Sequence, residues 1–427
     1  MFRVSPIEHL EGEISFPGDK SISHRMVILS SLAEGDSYAE NFLISDDSLR
    51  TIEAFRKMGI EIREERNRLR ITGRGLNGLK PPSEPLYMGG SGTSARLILG
   101  VLAGQKFRAV LSGDASLSRR PMRRVTLPLR EMGAKIEGPA DADFLPLTIE
   151  GSDLKPIEYK MPVASAQVKS AILLAGLYAW GETKVIEPMI SRDHTERLLK
   201  LFGGEVKKDG LTNTISGRQR LKGIELCIPG DISSAANFIV LALLVKKSRL
   251  LIQRVGLNPT RTGILNVLKR MGARIEVVIK GGEDTEPYGD IEVRNSSLKG
   301  TLIEREEIPR LIDELPLLMV CGCFADGVTW IEGGGELRVK ETDRINSMVT
   351  NLRRLGAEIE VEGDKVVIKG GSLLRGNRVS SFSDHRTAMS MLVIGSLIPG
   401  ETILDEVNCI NKSFPEFFSI LTKIANR

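Results

Sequence analysis

The chain has 427 residues, 41% of them hydrophobic and 27% charged, an ordinary folded composition with room for two or three domains. A net charge of +4 and an aromatic content of 5% exclude a broad cationic or aromatic-laced face for nucleic acid, and no apolar run is long enough to span a bilayer. Four histidines, and four cysteines without a CxxC pair (Cys227, Cys321, Cys323, Cys409), predict no metal centre and no disulfide frame; the cysteines read as buried thiols of a reducing cytoplasm, and the N-terminus carries no apolar signal region.

Glu13–Phe16 alternates as a strand and is broken by Pro17-Gly18. Ser21 is placed to cap a helix whose apolar positions are Ile22, Met26, Leu29 and Ala33. Lys20, the Ser21 hydroxyl, unpaired helix-start N–H groups and Arg25, one turn on, then share one spot. Such a start suits a phosphate or carboxylate, and it equally describes a plain capped surface helix. Gly89–Arg96 is a glycine-rich turn ahead of a helix over Leu97–Leu102. It lacks the Gly-Lys-Ser/Thr of a phosphate loop, and it reads as a ligand approach or as a structural turn.

Ser116–Arg124 carries four arginines around Pro121, a solvated face from which one Arg can turn inward to an anion. Ser165 reads as the N-cap of an apolar helix and Gln167 as a polar group in its first turn. Ser191–Arg197 has the mixed charges of a solvated helix start. Asp313 reads as a cap ahead of Glu314-Leu315-Pro316. Arg338–Arg344 packs five charges into seven residues, either a laced surface or a carboxylate held among cations for proton transfer. Ser383-Asp384-His385-Arg386 opens another helix, and Lys412 precedes Phe414-Pro415.

A longer rhythm runs through these elements. Helix-like runs ending near Gly35, Gly104, Gly181, Lys247, Gly327 and Gly400, each followed by a β-like run, recur at nearly even spacing, about one sixth of the chain apart. Between them, amphipathic helices stop at Gly59, Gly133, Gly203, Gly272 and Gly356 and give way to alternating strand residues. Pro229-Gly230-Asp231-Ile232-Ser233 echoes Pro17-Gly18-Asp19-Lys20-Ser21 half a chain later. The expected fold is α/β, with two pseudo-symmetric domains of three βαβαββ units each. The domains are residues 1–18 with 232–427, and residues 19–231, with the active site in the cleft between them.

Pro17–Arg25, Gly89–Arg96, Arg120-Pro121-Met122, Ser165-Ala166-Gln167, Leu337–Ile345, Asp384-His385-Arg386 and Lys412–Pro415, in that order, together resemble the 5-enolpyruvylshikimate-3-phosphate synthase family. The resemblance covers essentially the whole chain. It implies the enolpyruvyl transferase fold and transfer of the enolpyruvyl group of phosphoenolpyruvate to the 5-hydroxyl of shikimate 3-phosphate, without a cofactor. It further implies that Lys20, Ser21 and Arg25 hold the shikimate 3-phosphate, Lys20 also touching phosphoenolpyruvate and joining the catalytic group. Ser165 and Gln167 then bind the shikimate side. Gly92, Arg120, Arg344, Arg386 and Lys412 hold phosphoenolpyruvate. Asp313 binds the shikimate hydroxyls and is the base, Lys340 touches substrate, and Glu341 is the proton donor to the methylene carbon.

Gly90, Ala166 and Glu336 stand where family members often have Asn, Ser and Asn. By the same resemblance Gly92 implies sensitivity to glyphosate, and the enzyme is expected to be a cytoplasmic monomer without nucleic-acid or membrane partners. Two other readings remain at this stage. The sister transferase acting on UDP-N-acetylglucosamine carries a Lys-Asn pair and a reactive loop Cys, whereas Lys20 is followed here by Ser21. A non-catalytic anion-binding repeat protein would have little use for Asp313 and Glu341.

Overall fold

The computed structural model describes residues 1–425. It divides into two compact units: an inserted unit, Gly18–Ile228, and a terminal unit made of Met1–Pro17 and the chain from Pro229 onward.

The chain opens with β1 (Phe2–Val4) and β2 (Glu11–Ser15), then enters the inserted unit. There α1 (Lys20–Leu32), β3 (Glu34–Glu40), α2 (Asp46–Lys57), β4 (Glu61–Glu65) and β5 (Arg68–Arg74) form the first repeat. The second holds β6 (Leu86–Tyr87), α3 (Gly92–Leu102), β7 (Arg108–Ser112), α4 (Arg123–Glu131), β8 (Lys135–Glu137) and β9 (Leu147–Glu150). The third holds β10 (Glu158–Lys160), α5 (Ala166–Gly176), β11 (Glu182–Ile186), α6 (His194–Leu201), β12 (Val206–Asp209) and β13 (Thr212–Ser216). β14 (Glu225–Cys227) leads out.

In the terminal unit, α7 (Ile232–Leu244), β15 (Arg249–Gly256), α8 (Gly263–Arg270), β16 (Arg274–Gly281) and β17 (Tyr288–Arg294) come first. Then follow β18 (Leu302–Ile303), α9 (Leu315–Phe324), β19 (Val328–Ile331), α10 (Arg344–Arg354), β20 (Glu358–Glu362) and β21 (Lys365–Lys369). The last repeat is β22 (Arg378–Val379), α11 (His385–Gly395), β23 (Thr402–Leu404) and α12 (Phe417–Ala425). Among the described residues no helix is long and apolar enough to cross a membrane.

Each complete repeat makes one four-stranded sheet with a single pattern, as in β6-β7-β9-β8: the first pair is parallel, the other two antiparallel. Two sheets complete themselves by exchange. β2 lies parallel to β15 in the terminal unit, with Ile14 opposite Ile252, although the chain continues from β2 into α1 of the inserted unit. Conversely β14 lies parallel to β3, with Leu226 opposite Ala39. The sixth repeat departs from the pattern. Its parallel pair β22-β23 is joined by β1 from the start of the chain, antiparallel to β23, in a three-stranded sheet.

The first helix of each repeat is the core. α1, α3 and α5 are buried nearly throughout in the inserted unit, as are α7, α9 and α11 in the terminal unit, and each unit has its own hydrophobic cluster. Each Leu or Ile so buried contributes roughly 1.5–3 kcal/mol. α3 and α5 touch at the backbone: a Cβ on Gly100 would lie 2.3 Å from the Ala171 carbonyl oxygen.

The second helices show one buried stripe and stop where the glycines predict. Gly59, Gly133, Gly203, Gly272 and Gly356 all have φ between 80° and 115°, a conformation that L side chains rarely adopt. In three repeats an Arg in the turn before the glycine reaches over this stop. Arg56 donates to the Ile62 carbonyl, Arg130 to Ile136 and Arg353 to Ile359. The weak sequence copy at Lys247 keeps the geometry, with φ 58°, where its counterpart Gly181 has φ 127°.

Candidate active site

The inserted unit gathers one set of candidates at the starts of α1, α3 and α5. Asp19, not Ser21, is the N-cap of α1: it is the last extended residue, and its carboxylate accepts the Ile22 N–H at 3.0 Å. Ser21 therefore sits inside the first turn. Lys20 pairs with Asp47 of α2 at 3.1 Å. Arg25 is buried, and its NH1 donates back to the Ser21 carbonyl at 2.9 Å, so the two do share one face.

His24 faces away from this pair. Its Nδ1 lies 2.7 Å from Thr51 Oγ1, which meets Ser94 Oγ at 2.7 Å, which meets Ser91 Oγ at 2.7 Å. Burial first, then the Lys20 and Arg25 charges, push the imidazole down to about 3, so it is neutral at physiological pH. This hydroxyl chain ties the middle of α1 to the start of α3.

α3 begins at Gly92, earlier than the sequence suggested, because Ser91 caps it by accepting the Ser94 N–H at 3.2 Å. Gly92 thus occupies the first helical position, beside two guanidinium groups. A Cβ there would lie 2.7 Å from Arg96 NH1 and 2.9 Å from Arg120 NH1. Of the arginine run, Arg120 turns inward and is buried, whereas Arg119 and Arg123 are exposed. Arg96 donates to Gln167 Oε1 at 2.8 Å and to the Pro121 carbonyl at 2.9 Å, and Gln167 donates to Thr93 Oγ1 at 3.0 Å. Ser165 caps α5 as expected, accepting the Val168 N–H at 3.4 Å. Ser191–Arg197 is not a solvated helix start, since His194, Thr195 and Glu196 are buried against α1 and α5.

The terminal unit gathers a second set around Arg344, the first residue of α10, whose side chain is 2% exposed. Its Nε donates to Asp384 at 2.9 Å, NH1 to Asp313 at 3.1 Å and NH2 to Glu341 at 2.6 Å. The sequence suggested a carboxylate among cations; the structure also brings three carboxylates to the Arg344 guanidinium. Burial alone would push the guanidinium down, but Asp384, Glu341 and Asp313 together hold it above its ordinary value. Asp313 is not a helix cap, because Glu314 stands between it and α9.

Asp384 is the cap of α11, accepting the Arg386 N–H at 2.7 Å and the Thr387 N–H at 3.2 Å while it binds Arg344. Arg386 is buried in that first turn. Lys340 is half-buried next to Glu341, and Lys412 ends a 3-10 turn over Asn408–Lys412. The Cys409 thiol is pushed up by burial, then by Glu406 and Asp384, and down by Lys412.

Sequence reasoning missed the role of five residues: Asp47 on Lys20, Arg96 on Gln167, Thr195 and Ser170 on Arg25, and Asp384 on Arg344. The motifs contained Arg96 and Asp384, but nothing in their spacing gave their partners. Of the four thiols, Cys227 is exposed and the other three are buried. Burial raises Cys323 to about 12 and Cys321 further, which leaves no activated nucleophile in α9.

The repeats and the exchanged strands define the architecture of an enolpyruvyl transferase. The structure is similar in fold to the enolpyruvyl transferase NikO from Streptomyces tendae, with TM-score 0.81 at 17% identity over 99% of this chain and 96% of that one. It is similar to EPSP synthase from Acinetobacter baumannii with TM-score 0.88 at 41% identity over 99% and 97%. The family model of EPSP synthase (3-phosphoshikimate 1-carboxyvinyltransferase) matches residues 4–421. A 3-phosphoshikimate 1-carboxyvinyltransferase of Citrifermentans bemidjiense is 50% identical over 426 residues, 100% of this chain and 99% of the relative. The chain belongs to the EPSP synthase family.

Proposed function

We propose that this chain transfers the enolpyruvyl group of phosphoenolpyruvate to the 5-hydroxyl of shikimate 3-phosphate, releasing phosphate, with Asp313 as base and Glu341 as acid. Lys20, Ser21 and Arg25 hold the shikimate 3-phosphate, with Ser165 and Gln167 on its ring. Gly92, Arg120, Arg344, Arg386 and Lys412 hold phosphoenolpyruvate, and Lys340 contacts substrate. The protein works as a cytoplasmic monomer.

The observation that carries the chemistry is the single buried guanidinium shared by Asp313 and Glu341, at 3.1 and 2.6 Å. It supports an acid and a base held at one point, as the reaction requires. Glu341 in its acid form gives a proton to the methylene carbon of phosphoenolpyruvate. Cationic character develops at the adjoining carbon, the 5-hydroxyl oxygen attacks it, and Asp313 takes the hydroxyl proton. In the tetrahedral intermediate the Glu341 carboxylate takes a methyl proton back, the C–H pair becomes the restored double bond, and phosphate leaves with the C–O bonding pair. The arginines and lysines hold two mutually repelling anions in reacting geometry throughout.

The test is phosphate release from phosphoenolpyruvate with shikimate 3-phosphate and UDP-N-acetylglucosamine offered separately. Release with shikimate 3-phosphate alone is expected; release only with the nucleotide sugar overturns the substrate.

A further inference from the structure

The inserted unit buries three charged side chains that the reaction does not use. Lys169 of α5 pairs with Glu187, just after β11, at 3.0 Å and with Glu196 of α6 at 2.6 Å; Lys169 and Glu187 are 0% exposed and Glu196 7%. Glu187 also accepts the Ser191 N–H at 3.1 Å, the Ser191 hydroxyl, and Asn213 Nδ2 at 3.2 Å. Burial alone would push the Lys169 ammonium down, but Glu196 and Glu187 outweigh it and hold it above its ordinary value. Such a cluster is costly to bury and ties its helices into one relative position.

The residues next in sequence carry the consequence. Ser170 follows Lys169 on α5, and Thr195 precedes Glu196 on α6. Their hydroxyls lie 2.7 Å apart, and both accept from Arg25: Nε reaches Thr195 Oγ1 at 2.6 Å, and NH2 reaches Ser170 Oγ at 2.8 Å. With the Ser21 carbonyl, three N–H groups of Arg25 are committed to neutral acceptors. These orient the guanidinium without taking up its charge, unlike the carboxylates around Arg344. Each helix thus supplies one charged group to the buried cluster and one hydroxyl to Arg25.

We propose that Thr195 and Ser170 are positioning residues for shikimate 3-phosphate, which hold the plane of the Arg25 guanidinium and are themselves set by the Lys169–Glu187–Glu196 cluster locking α5 to α6. The proposal rests on the reading of Arg25 as a ligand of shikimate 3-phosphate. Thr195→Val keeps the shape and removes the acceptor, leaving the Nε–H of a buried Arg without this partner.

The experiment is steady-state kinetics on the full chain for Thr195→Val, Ser170→Ala, Lys169→Met and Arg25→Ala, and for Thr195→Val combined with Arg25→Ala. Thr195→Val is expected to raise KM for shikimate 3-phosphate about tenfold, with KM for phosphoenolpyruvate moving less than about twofold. In the Arg25→Ala background the same change is expected to add less than about twofold, because the residue acts through Arg25. Lys169→Met is expected to give the same selective rise in KM; if it does not fold, Thr195→Val and Ser170→Ala still decide. A Thr195→Val effect that persists undiminished without Arg25, or that lowers stability with no KM change, overturns the proposal while leaving the Arg25 reading intact. An unchanged KM for shikimate 3-phosphate in Arg25→Ala overturns both.

Discussion

Gly92→Ala separates the two things a glycine at this position can do. The added Cβ would stand 2.7 Å from Arg96 NH1 and 2.9 Å from Arg120 NH1, where ordinary contact begins at 3.4 Å. Both guanidinium ends must therefore retreat by several tenths of an ångström, Arg96 further than Arg120. They are ends of flexible side chains, so the backbone need not move. An alanine in the first turn of α3 also costs the helix nothing relative to glycine, and the expected stability change stays within about 1 kcal/mol. A displaced charge-assisted hydrogen bond loses about 1.5–3 kcal/mol, which corresponds to a rise in KM for phosphoenolpyruvate of about tenfold to a hundredfold. KM for shikimate 3-phosphate rises less, since Arg25 is not among these contacts and only the Arg96–Gln167 bond carries the change to that side. The assay is phosphate release at saturating shikimate 3-phosphate with phosphoenolpyruvate varied, alongside thermal unfolding. Inhibition by glyphosate should weaken in the same variant. A well-folded Gly92→Ala enzyme with unchanged KM for phosphoenolpyruvate would refute the placing of Arg120 and Gly92 on that substrate.

Glu341→Gln can still accept from Arg344 but cannot donate a carboxylic proton, so kcat should fall by about 10²–10⁴-fold with the fold unchanged; a loss under about tenfold in single-turnover measurements would remove Glu341 as the acid. His24 takes up its proton near 3 in the folded chain against 6.5 when unfolded. Its contribution to stability is therefore complete above about pH 6.5 and is lost as pH falls toward 3, at up to about 1.4 kcal/mol per pH unit. Urea unfolding of His24→Gln from pH 7 to pH 4 should show a shallower decline than the parent chain, and an identical slope would contradict the burial argument. One thiol, Cys227, should react with Ellman's reagent in the native protein and four after unfolding, with activity retained on alkylation of the first; inactivation would point to a catalytic cysteine after all.

The repeat architecture was legible because it rests on local chemistry that sequence displays. A glycine needed at positive φ recurs at Gly59, Gly133, Gly203, Gly272 and Gly356, and the apolar runs of α1, α3, α5, α7, α9 and α11 announce the buried helices. The exchange of β2 and β14 between sheets was not legible, since the pairs Ile14–Ile252 and Leu226–Ala39 join distant parts of the chain and no local pattern marks one partner for the other. Much the same holds for the candidate site. Lys20, Ser21, Arg25, Gly92, Ser165 and Gln167 stood out as helix starts, but the cap of α1 went to Ser21 instead of Asp19 because both residue types cap well and the choice between them depends on the Pro17-Gly18 turn. Arg338–Arg344 was ambiguous for a deeper reason. A run of charges does not reveal that Arg344 is the one buried, nor that Asp313 and Asp384, from separate repeats of the terminal unit, come to meet it.

The sixth sheet dictates an order of assembly while the protein is being made. β1 cannot pair until β23 exists, and β2 cannot pair until β15 exists. β2 therefore waits for Arg249–Gly256 and β1 for Thr402–Leu404, far later in the sequence. The inserted unit meets no such delay, because all its sheets draw on Gly18–Ile228. Synthesis from the N-terminus therefore lets the inserted unit fold while the unit that carries Arg344 is still being translated. The tilted ring contact of Phe2 with Phe418, at 4.7 Å between centroids, is then among the late contacts to form, and it clasps β1 to α12.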